Sequence, residues 1–286
     1  MIRGLILDID GVLVGDKIGY NSPWPHPEVT ARIKKIHSSG IAVTLSTGKP
    51  HYSILKIITD AGLNNPHVAN NGAIIIDPIN QKIIKKHVMS QTLVSDLLET
   101  FISSGFYTEL YSPDAYYIQK SQFRKNLTPI HTHVLQTEPH IVPDLYEEAK
   151  KNEVVKVMPV AVNNESDKLR LLALFEPFRN RAELSLGIHP VANPHRFGAI
   201  TAKGVSKRQS TIEAVSSLGL SLSDCLGVGD TESDWQFLEL CGYAATLGNA
   251  NDKVKKLVSS KGLNGFVTGQ SVDENGILEV FSHFEL

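Results

Sequence analysis

The chain has 286 residues, of which 42% are hydrophobic and 20% are charged, as in an ordinary globular protein. Its formal net charge of -2 provides no overall basic field, so we expect neither nucleic acid nor a membrane surface as a partner. Two cysteines are too few for a disulfide framework, and Asp8 and Asp10 interrupt the first apolar stretch. We therefore expect a cytoplasmic protein without a signal peptide.

The first third of the chain alternates strands and helices. Leu5, Ile6 and Leu7 form a continuous apolar run, which predicts a buried strand at residues 4–9. The elements predicted after it are a helix at 27–40, a strand at 41–45, a helix at 50–61, a strand at 67–69 and a turn at 70–72. This alternation indicates a parallel sheet with right-handed crossovers, in which 67–69 is the third strand.

The middle of the chain, residues 82–197, has a different pattern. Alternating segments that carry Tyr and His predict strands at 107–111, 115–119 and 154–162, and two or three helices include 91–103 and 167–178. We expect the tyrosines of this region to pack its sheet: Tyr107, Tyr111, Tyr116 and Tyr117. The pattern predicts an α+β insertion with antiparallel strands.

The last third returns to the pattern of the first. The predicted elements are a helix at 204–218, a strand at 225–228, a helix at 232–240, a strand at 243–247 and an amphipathic helix near 277–284 that closes the core. The predicted fold class is therefore α/β: a Rossmann-like parallel sheet core of residues 1–81 and 198–286, with an inserted α+β domain of residues 82–197.

Acidic and polar side chains follow several of the predicted parallel strands. Because alternate residues of a strand point the same way, we expect the side chains of Asp8 and Asp10 to point to the same side of the strand. The carboxyl ends of parallel strands share one rim, where function collects. The other residues expected at this rim are Thr47, Asp230 and Asp234, with Lys207 in the helix before the Asp230 strand. Carboxylates grouped in this way suit Mg²⁺, and a phosphate group would match the lysine.

Each of these residues also has an ordinary structural interpretation. An aspartate before a glycine is common in turns, Thr47 could cap a helix, and Lys207 could be an exposed helical residue. Asn71 and Asn249 are equally compatible with turn and site roles. The combination of carboxylates, hydroxyl and amine favours a site over these separate interpretations.

These residues resemble the four motifs of the haloacid dehalogenase-like (HAD) phosphohydrolases, in particular the Cof-type subgroup with a large inserted cap. The matching motifs are Asp8-Ile9-Asp10-Gly11, Thr47-Gly48-Lys49, Asn71-Gly72-Ala73, Gly204-Val205-Ser206-Lys207, Gly229-Asp230 to Asp234, and Gly248-Asn249-Ala250. The chain departs from the subgroup's pattern at Lys49, where arginine is usual, and at Thr231 and Ser233, where glycine and asparagine are frequent. The resemblance implies a HAD-like core with a cap that sets specificity.

The resemblance also implies roles for individual residues. Asp8 would attack phosphorus and become a phosphoaspartate, and Asp10 would transfer protons to the leaving group and from water. Thr47 and Lys207 would hold the phosphoryl group. The implied Mg²⁺ ligands are Asp8, Asp10 through its backbone carbonyl, Asp230, and Asp234 either directly or through water. The implied substrate-binding residues are Thr47, Gly48, Asn71, Lys207 and Asn249.

The sequence thus predicts a Mg²⁺-dependent phosphatase of a small phosphorylated metabolite. Two alternatives remain open: a mutase resembling phosphomannomutase, and a non-catalytic phosphate-binding or regulatory protein. The histidines without a telling metal spacing are interpreted as surface or loop residues: His131, His133, His189 and His195. Lys120, Arg124 and Arg196 are candidates for an anionic part of the substrate, although a solvated surface explains them as well.

Overall fold

The computed structural model of the chain describes residues 1–80, 82–162 and 165–286. The strands are β1 (Gly4–Leu7), β2 (Ala42–Leu45), β3 (His67–Ala69), β4 (Ile74–Asp77), β5 (Lys82–Lys86), β6 (Tyr107–Tyr111), β7 (Tyr116–Gln119), β8 (His140–Val142), β9 (Lys156–Ala161), β10 (Ala182–Gly187), β11 (Arg196–Ala202), β12 (Cys225–Val228), β13 (Tyr243–Thr246) and β14 (Gly265–Val267). The helices are α1 (Pro27–Ser38), α2 (Leu55–Ala61), α3 (Gln91–Ser103), α4 (Thr128–Leu135), α5 (Leu145–Lys151), α6 (Glu165–Phe175), α7 (Lys207–Ser216), α8 (Glu232–Leu238), α9 (Asp252–Ser259) and α10 (Ile277–His283). Across the described ranges, no helix combines the length and apolar character needed to cross a bilayer.

A parallel sheet forms the centre of the molecule, and we call it the core sheet. Its strand order is β14-β13-β12-β1-β2, and all neighbouring strands are parallel. Leu5 and Leu7 of β1 pack in one hydrophobic cluster and Ile6 in another, because successive side chains of a strand point to opposite faces. The continuous apolar run in the sequence therefore corresponds to a strand covered on both faces, and the predicted α/β core is confirmed.

The strand at 67–69 contributes less to the core sheet than its position in the sequence predicts. Its parallel pairing with the chain after β2 is one bridge, between Ser46 and Val68. The main ladder of β3 is antiparallel, in a small sheet of order β3-β4-β5 that we call the hairpin sheet. The cause is a tight turn, because Asn70, Asn71 and Gly72 have φ values of 49°, 56° and 97° and return the chain directly into β4.

The insertion contains its own sheet, the insertion sheet, of order β10-β11-β9-β6-β7-β8. All its strand pairs except β7 with β8 are antiparallel. This agrees with the predicted α+β insertion. The predicted boundary between residues 197 and 198 falls inside β11, which pairs with β9 and β10. At the other end, β5 pairs with β4 of the hairpin sheet. We therefore propose that the insertion extends from residue 87 to residue 202.

Packing inside the two parts follows the sequence pattern closely. Tyr107, Tyr111 and Tyr116 are at most 1% exposed, and Tyr117 is also buried, so the expectation that they pack the sheet is confirmed. The apolar face of α10 lies in the core, as expected. Helices α4 and α5 have only eight and seven residues, and such short segments carry too little periodicity to be found from the sequence.

Candidate active site

Near the ends of β1 and β12, the ammonium group of Lys207 lies between two carboxylates. Asp8 directly follows β1, and Lys207 is the first residue of α7. The Nζ atom of Lys207 lies 2.9 Å from Oδ1 of Asp8 and 2.7 Å from Oδ1 of Asp234. All three side chains are buried. Burial alone would lower the pKa of Lys207, but Asp234 and Asp8 outweigh it and raise that pKa.

Asp234 is held by a second set of contacts at the start of α8. Its Oδ2 atom accepts hydrogen bonds from the backbone N–H of Thr231 at 3.0 Å and from the Thr231 hydroxyl at 2.7 Å. The backbone N–H of Asp230 donates to the same oxygen at 3.3 Å. Asp234 therefore has a fixed orientation that leaves Oδ1 for Lys207.

Asp8, Asp230 and Asp234 form an acidic cluster. One carboxylate oxygen from each lies within 4.8 Å of the others. Burial and the nearby Asp234 raise the pKa of Asp8 to about 7 despite Lys207, and burial with Asp234 and Asp8 also raises the pKa of Asp230. Oδ1 of Asp230 is buried without a hydrogen-bond partner. The donor set is all oxygen, and a divalent cation would relieve the repulsion, so the cluster fits a hard metal ion.

Asp10 points to a different environment from Asp8, against the expectation that the two leave on the same side. Its Oδ1 atom lies 3.2 Å from Nζ of Lys49 and 3.0 Å from Nε2 of His189. The alternation rule ends with β1 at Leu7, after which the chain turns tightly. Burial would raise the pKa of Asp10, but Lys49 and His189 outweigh it and lower that pKa.

Thr47, Gly48 and Asn71 lie together beside Asp10. Oγ1 of Thr47 accepts a hydrogen bond from the backbone N–H of Lys49 at 3.2 Å. The backbone N–H of Asn71 donates to the Thr47 carbonyl at 3.1 Å. A Cβ atom on Gly48 would lie 3.2 Å from Oδ1 of Asn71, so glycine lets this side chain approach the loop closely.

Asn249 contacts neither Thr47, Gly48 nor Asn71 through its side-chain hydrogen bonds. Its Nδ2 donates to the Gly11 carbonyl at 2.9 Å, and its Oδ1 accepts from the backbone N–H of Val272 at 2.8 Å. Both polar ends of the side chain therefore hold backbone segments, one of which is the turn after Asp10. We propose that Asn249 positions this turn, while its predicted contact with substrate stays a prediction.

A pocket lies between the core and the insertion. On the core side, the pocket is lined by Asp10, Gly48, Lys49 and Asn71. On the insertion side, it is lined by residues that include Tyr111, His131, Val134, Leu135, Lys156, Met158, His189 and Phe197. Lys120 and Arg124 are exposed, and neither they nor Arg196 line this pocket. The structure therefore supports the solvated interpretation of Lys120 and Arg124, whereas Arg196 is half-buried and donates to the Pro194 carbonyl at 2.7 Å.

His131, in α4, was interpreted wrongly from the sequence, whereas His189 lies in a loop as expected but is buried. His189 and His131 are each 4% exposed, so they are not surface residues. His189 contacts Asp10, and Nδ1 of His131 lies 2.6 Å from Oε1 of the buried Glu109. Neither histidine has a metal-type spacing in the sequence, because each contacts a single carboxylate from another part of the chain.

Lys156 is a residue that sequence reasoning missed. Its Nζ atom donates to the Gly48 carbonyl at 3.0 Å and lies 4.0 Å from the centre of the Tyr111 ring. A signal was available, because Lys156 stands inside the apolar run of 154–162, where a lysine has no solvated face.

Comparison with known proteins agrees with this arrangement. The sequence model of the haloacid dehalogenase-like hydrolases matches residues 5–281, which is nearly the whole chain. The chain belongs to this family. The resemblance inferred from the motifs, and with it an enzyme of the HAD phosphatase class, is thereby confirmed.

Relatives of this HAD chain are distant but match over their full length. Phosphatase YwpJ of Bacillus subtilis (strain 168) is 20% identical over 98% of each chain. Pyridoxal phosphate phosphatase YbhA of Escherichia coli (strain K12) is 22% identical, again over 98% of each. Among solved structures, the HAD subclass IIB sugar phosphatase BT4131 superposes with a TM-score of 0.78 at 23% identity, covering 99% of both chains. This likeness shows the fold of core and insertion.

Proposed function

We propose that the protein is a Mg²⁺-dependent phosphatase that hydrolyses a small phosphomonoester through a phosphoaspartate on Asp8. The observation that carries this proposal is that the Asp8 carboxylate belongs to the acidic cluster and also lies 2.9 Å from the ammonium of Lys207. A nucleophilic carboxylate, a buried cation and a cation-binding cluster at one strand end are the parts that phosphoryl transfer needs.

In the first step, a carboxylate oxygen of Asp8 attacks phosphorus. The new Asp8 O–P bond forms as the ester P–O bond breaks, and the leaving oxygen takes a proton from Asp10. The Thr47 hydroxyl and the Lys207 ammonium hold the phosphoryl oxygens and offset their charge. In the second step, water attacks phosphorus and gives its proton to Asp10, which restores Asp8 and releases phosphate.

Before substrate binds, the surroundings of Asp10 favour its role as the general base of the second step. Lys49 and His189 keep the carboxyl ionised, as a general base requires. A dianionic phosphoryl group bound nearby would raise the pKa of Asp10 by repulsion, which favours uptake from water of the proton that Asp10 then gives to the leaving group. The binding of substrate thus prepares Asp10 for the first step.

The metal ion belongs to the proposal through the acidic cluster. Asp8, Asp230 and Asp234 would hold Mg²⁺ with their carboxylates, and Asp10 with its backbone carbonyl. When bound, Mg²⁺ supplies positive charge that lets the anionic nucleophile and phosphoryl group approach each other. The unpartnered Oδ1 atom of Asp230 is the ligand atom that the protein alone leaves unsatisfied.

The names of relatives bear on the substrate class, and the cysteines bear on the compartment. The names of two relatives specify pyridoxal phosphate and a sugar, both small substrates, and a pocket between core and insertion contains Asp10. Cys225 and Cys241 are buried and unpaired, as in proteins of a reducing cytoplasm. We propose that the substrate is a small phosphorylated metabolite and that the protein is located in the cytoplasm.

Phosphate release from a panel of phosphorylated metabolites, measured with and without Mg²⁺, tests the proposal. We expect release that requires Mg²⁺, stops on chelation, and is absent in Asp8→Asn. A phosphomutase would instead convert its substrate while releasing little phosphate. A binding protein would bind metal and substrate without turnover, and either result would refute the phosphatase assignment.

A further inference from the structure

Lys156 is a buried cation whose surroundings supply little negative charge. Its side chain is 2% exposed, at the start of β9 in the insertion sheet. Within residues 1–80, 82–162 and 165–286, no carboxylate oxygen lies within ion-pair distance of its Nζ atom. Its contacts are the Gly48 carbonyl and the Tyr111 ring. An ammonium group has three N–H donors, and this backbone hydrogen bond uses one of them.

Glu109 attracts Lys156 but does not pair with it. The Glu109 carboxylate is fully buried and accepts from the hydroxyls of Tyr107 at 3.1 Å and Tyr111 at 2.6 Å. Nδ1 of His131 lies 2.6 Å from the same carboxylate. These contacts occupy Glu109, and burial lowers the pKa of Lys156 to about 7 in spite of its attraction. Lys156 therefore lacks a counterion at contact distance.

The pocket shows where a counterion would come from. Lys156 and Asp10 line the same cavity, but Asp10 is already matched by Lys49 and His189. The wall on the insertion side is otherwise largely apolar or aromatic: Tyr111, Val134, Leu135, Met158 and Phe197. A ligand that reaches from Asp10 across this wall would meet Lys156 as an unmatched cation.

We propose that Lys156 is a specificity-determining residue that binds a carboxylate on the leaving group of the substrate. The inference rests on the proposed function, since it concerns the leaving group of the same substrate. One ammonium without a contacting counterion matches the single charge of a carboxylate, whereas a second phosphate dianion would require more cations. The part between the two anionic ends is apolar, to match the wall.

Two series of alkyl phosphates of increasing chain length test this proposal, one ending in a carboxylate and the other in a hydroxyl. For the wild type, we expect at least one length at which kcat/KM is about 10- to 100-fold higher for the carboxylate, the range of a charged hydrogen bond. In Lys156→Met, the ratio between the two series should fall to about 1. Lys156→Gln, which keeps a donor for the Gly48 carbonyl without the charge, should also lose the preference.

The exposed Lys120 provides the matched control, because Lys120→Met removes a cation from the same insertion outside the pocket. This control should keep the wild-type ratio. A wild type without carboxylate preference at any length would overturn the proposal, as would a preference that survives both Lys156 variants. If the hydroxyl series is hydrolysed without such a preference, only this inference fails. If neither series nor an aryl phosphate is hydrolysed, the proposed function itself fails.

Discussion

Two aspartates two residues apart have opposite surroundings in this protein. Asp8 is buried against Asp234, which raises its pKa to about 7, whereas Lys49 and His189 lower the pKa of Asp10. The sequence shows only that both carboxylates follow a strand. Their separate roles depend on the turn at Gly11, where φ is +80°, and on partners that come from elsewhere in the chain.

Gly11 allows a substitution that tests the metal site at the scale of one residue. A Cβ atom at this position would overlap the carboxylate of Asp230. Gly11→Ala should therefore weaken Mg²⁺ binding by at least about tenfold, because a ligand must move, and calorimetric titration with Mg²⁺ measures this. Gly19→Ala is the matched control, since Gly19 has a φ of +83° but open space around its Cβ position.

Both variants carry the strain of a left-handed alanine, about 1–2 kcal/mol, so both should unfold somewhat more easily. Only Gly11→Ala should lose Mg²⁺ affinity. Equal Mg²⁺ affinity in Gly11→Ala, Gly19→Ala and the wild type would show that Asp230 does not hold the ion.

At the scale of the elements, a buried histidine joins β3 to β2. Nδ1 of His67 accepts a hydrogen bond from the backbone N–H of Leu45 at 3.1 Å, while Nε2 is buried without a partner. Burial lowers the pKa of His67 from 6.5 to about 3. The folded state thus excludes a proton that the unfolded chain binds below pH 6.5, and stability is lost as the pH falls from there toward 3.

His67→Asn removes this titration, because the asparagine Oδ1 atom can accept the same hydrogen bond. We expect the wild type to lose about 1.4 kcal/mol more free energy of unfolding per pH unit below 6.5 than the variant loses. Urea unfolding at about pH 7.5 and about pH 5 measures the difference. Parallel losses in the two proteins would mean that His67 is protonated in the folded state.

The parts of the fold that the sequence predicts are those encoded over short distances. Apolar runs and helical periodicity locate β1, β2, β12 and their helices, and the aspartates at the strand ends follow directly from them. The pairing of β3 with β4 depends on three residues in the left-handed region, which the pattern Asn-Asn-Gly indicates only as a turn. The sequence thus locates the rim better than it locates the sheet edges.

The pocket could not be predicted because its contacts join distant parts of the chain. Lys156 meets Gly48 across 108 residues, and Lys49 meets Val134 across 85. Nothing local distinguishes His189 from an ordinary loop histidine. Contacts of this kind become visible only when the insertion and core are placed against each other.

At the scale of the whole molecule, the insertion lies closed over the rim of the core sheet. Nζ of Lys49 donates to the Val134 carbonyl at 2.6 Å, Lys156 donates to Gly48, and His189 contacts Asp10. Each of these contacts joins the core to the insertion beside the proposed phosphoryl site. Closure of this kind excludes bulk water and strengthens the electrostatic interactions on which phosphoryl transfer depends.

The central claim, that Asp8 carries the phosphoryl group and Asp10 handles protons, can be tested directly in Asp10→Asn with p-nitrophenyl phosphate. This leaving group departs without an acid, so Asp8 should still be phosphorylated, but water lacks its base and turnover should fall by about 10²- to 10⁴-fold. The Lys49 and His189 partners tolerate a neutral amide, so circular dichroism should show an intact fold.

Mass spectrometry of the quenched Asp10→Asn variant is the measurement that decides. The account predicts one burst of nitrophenolate per protein molecule and the mass of a phosphoryl group on the peptide that contains Asp8, with neither in Asp8→Asn. Near-full turnover by Asp10→Asn, or a phosphoryl group on any other residue, would contradict it.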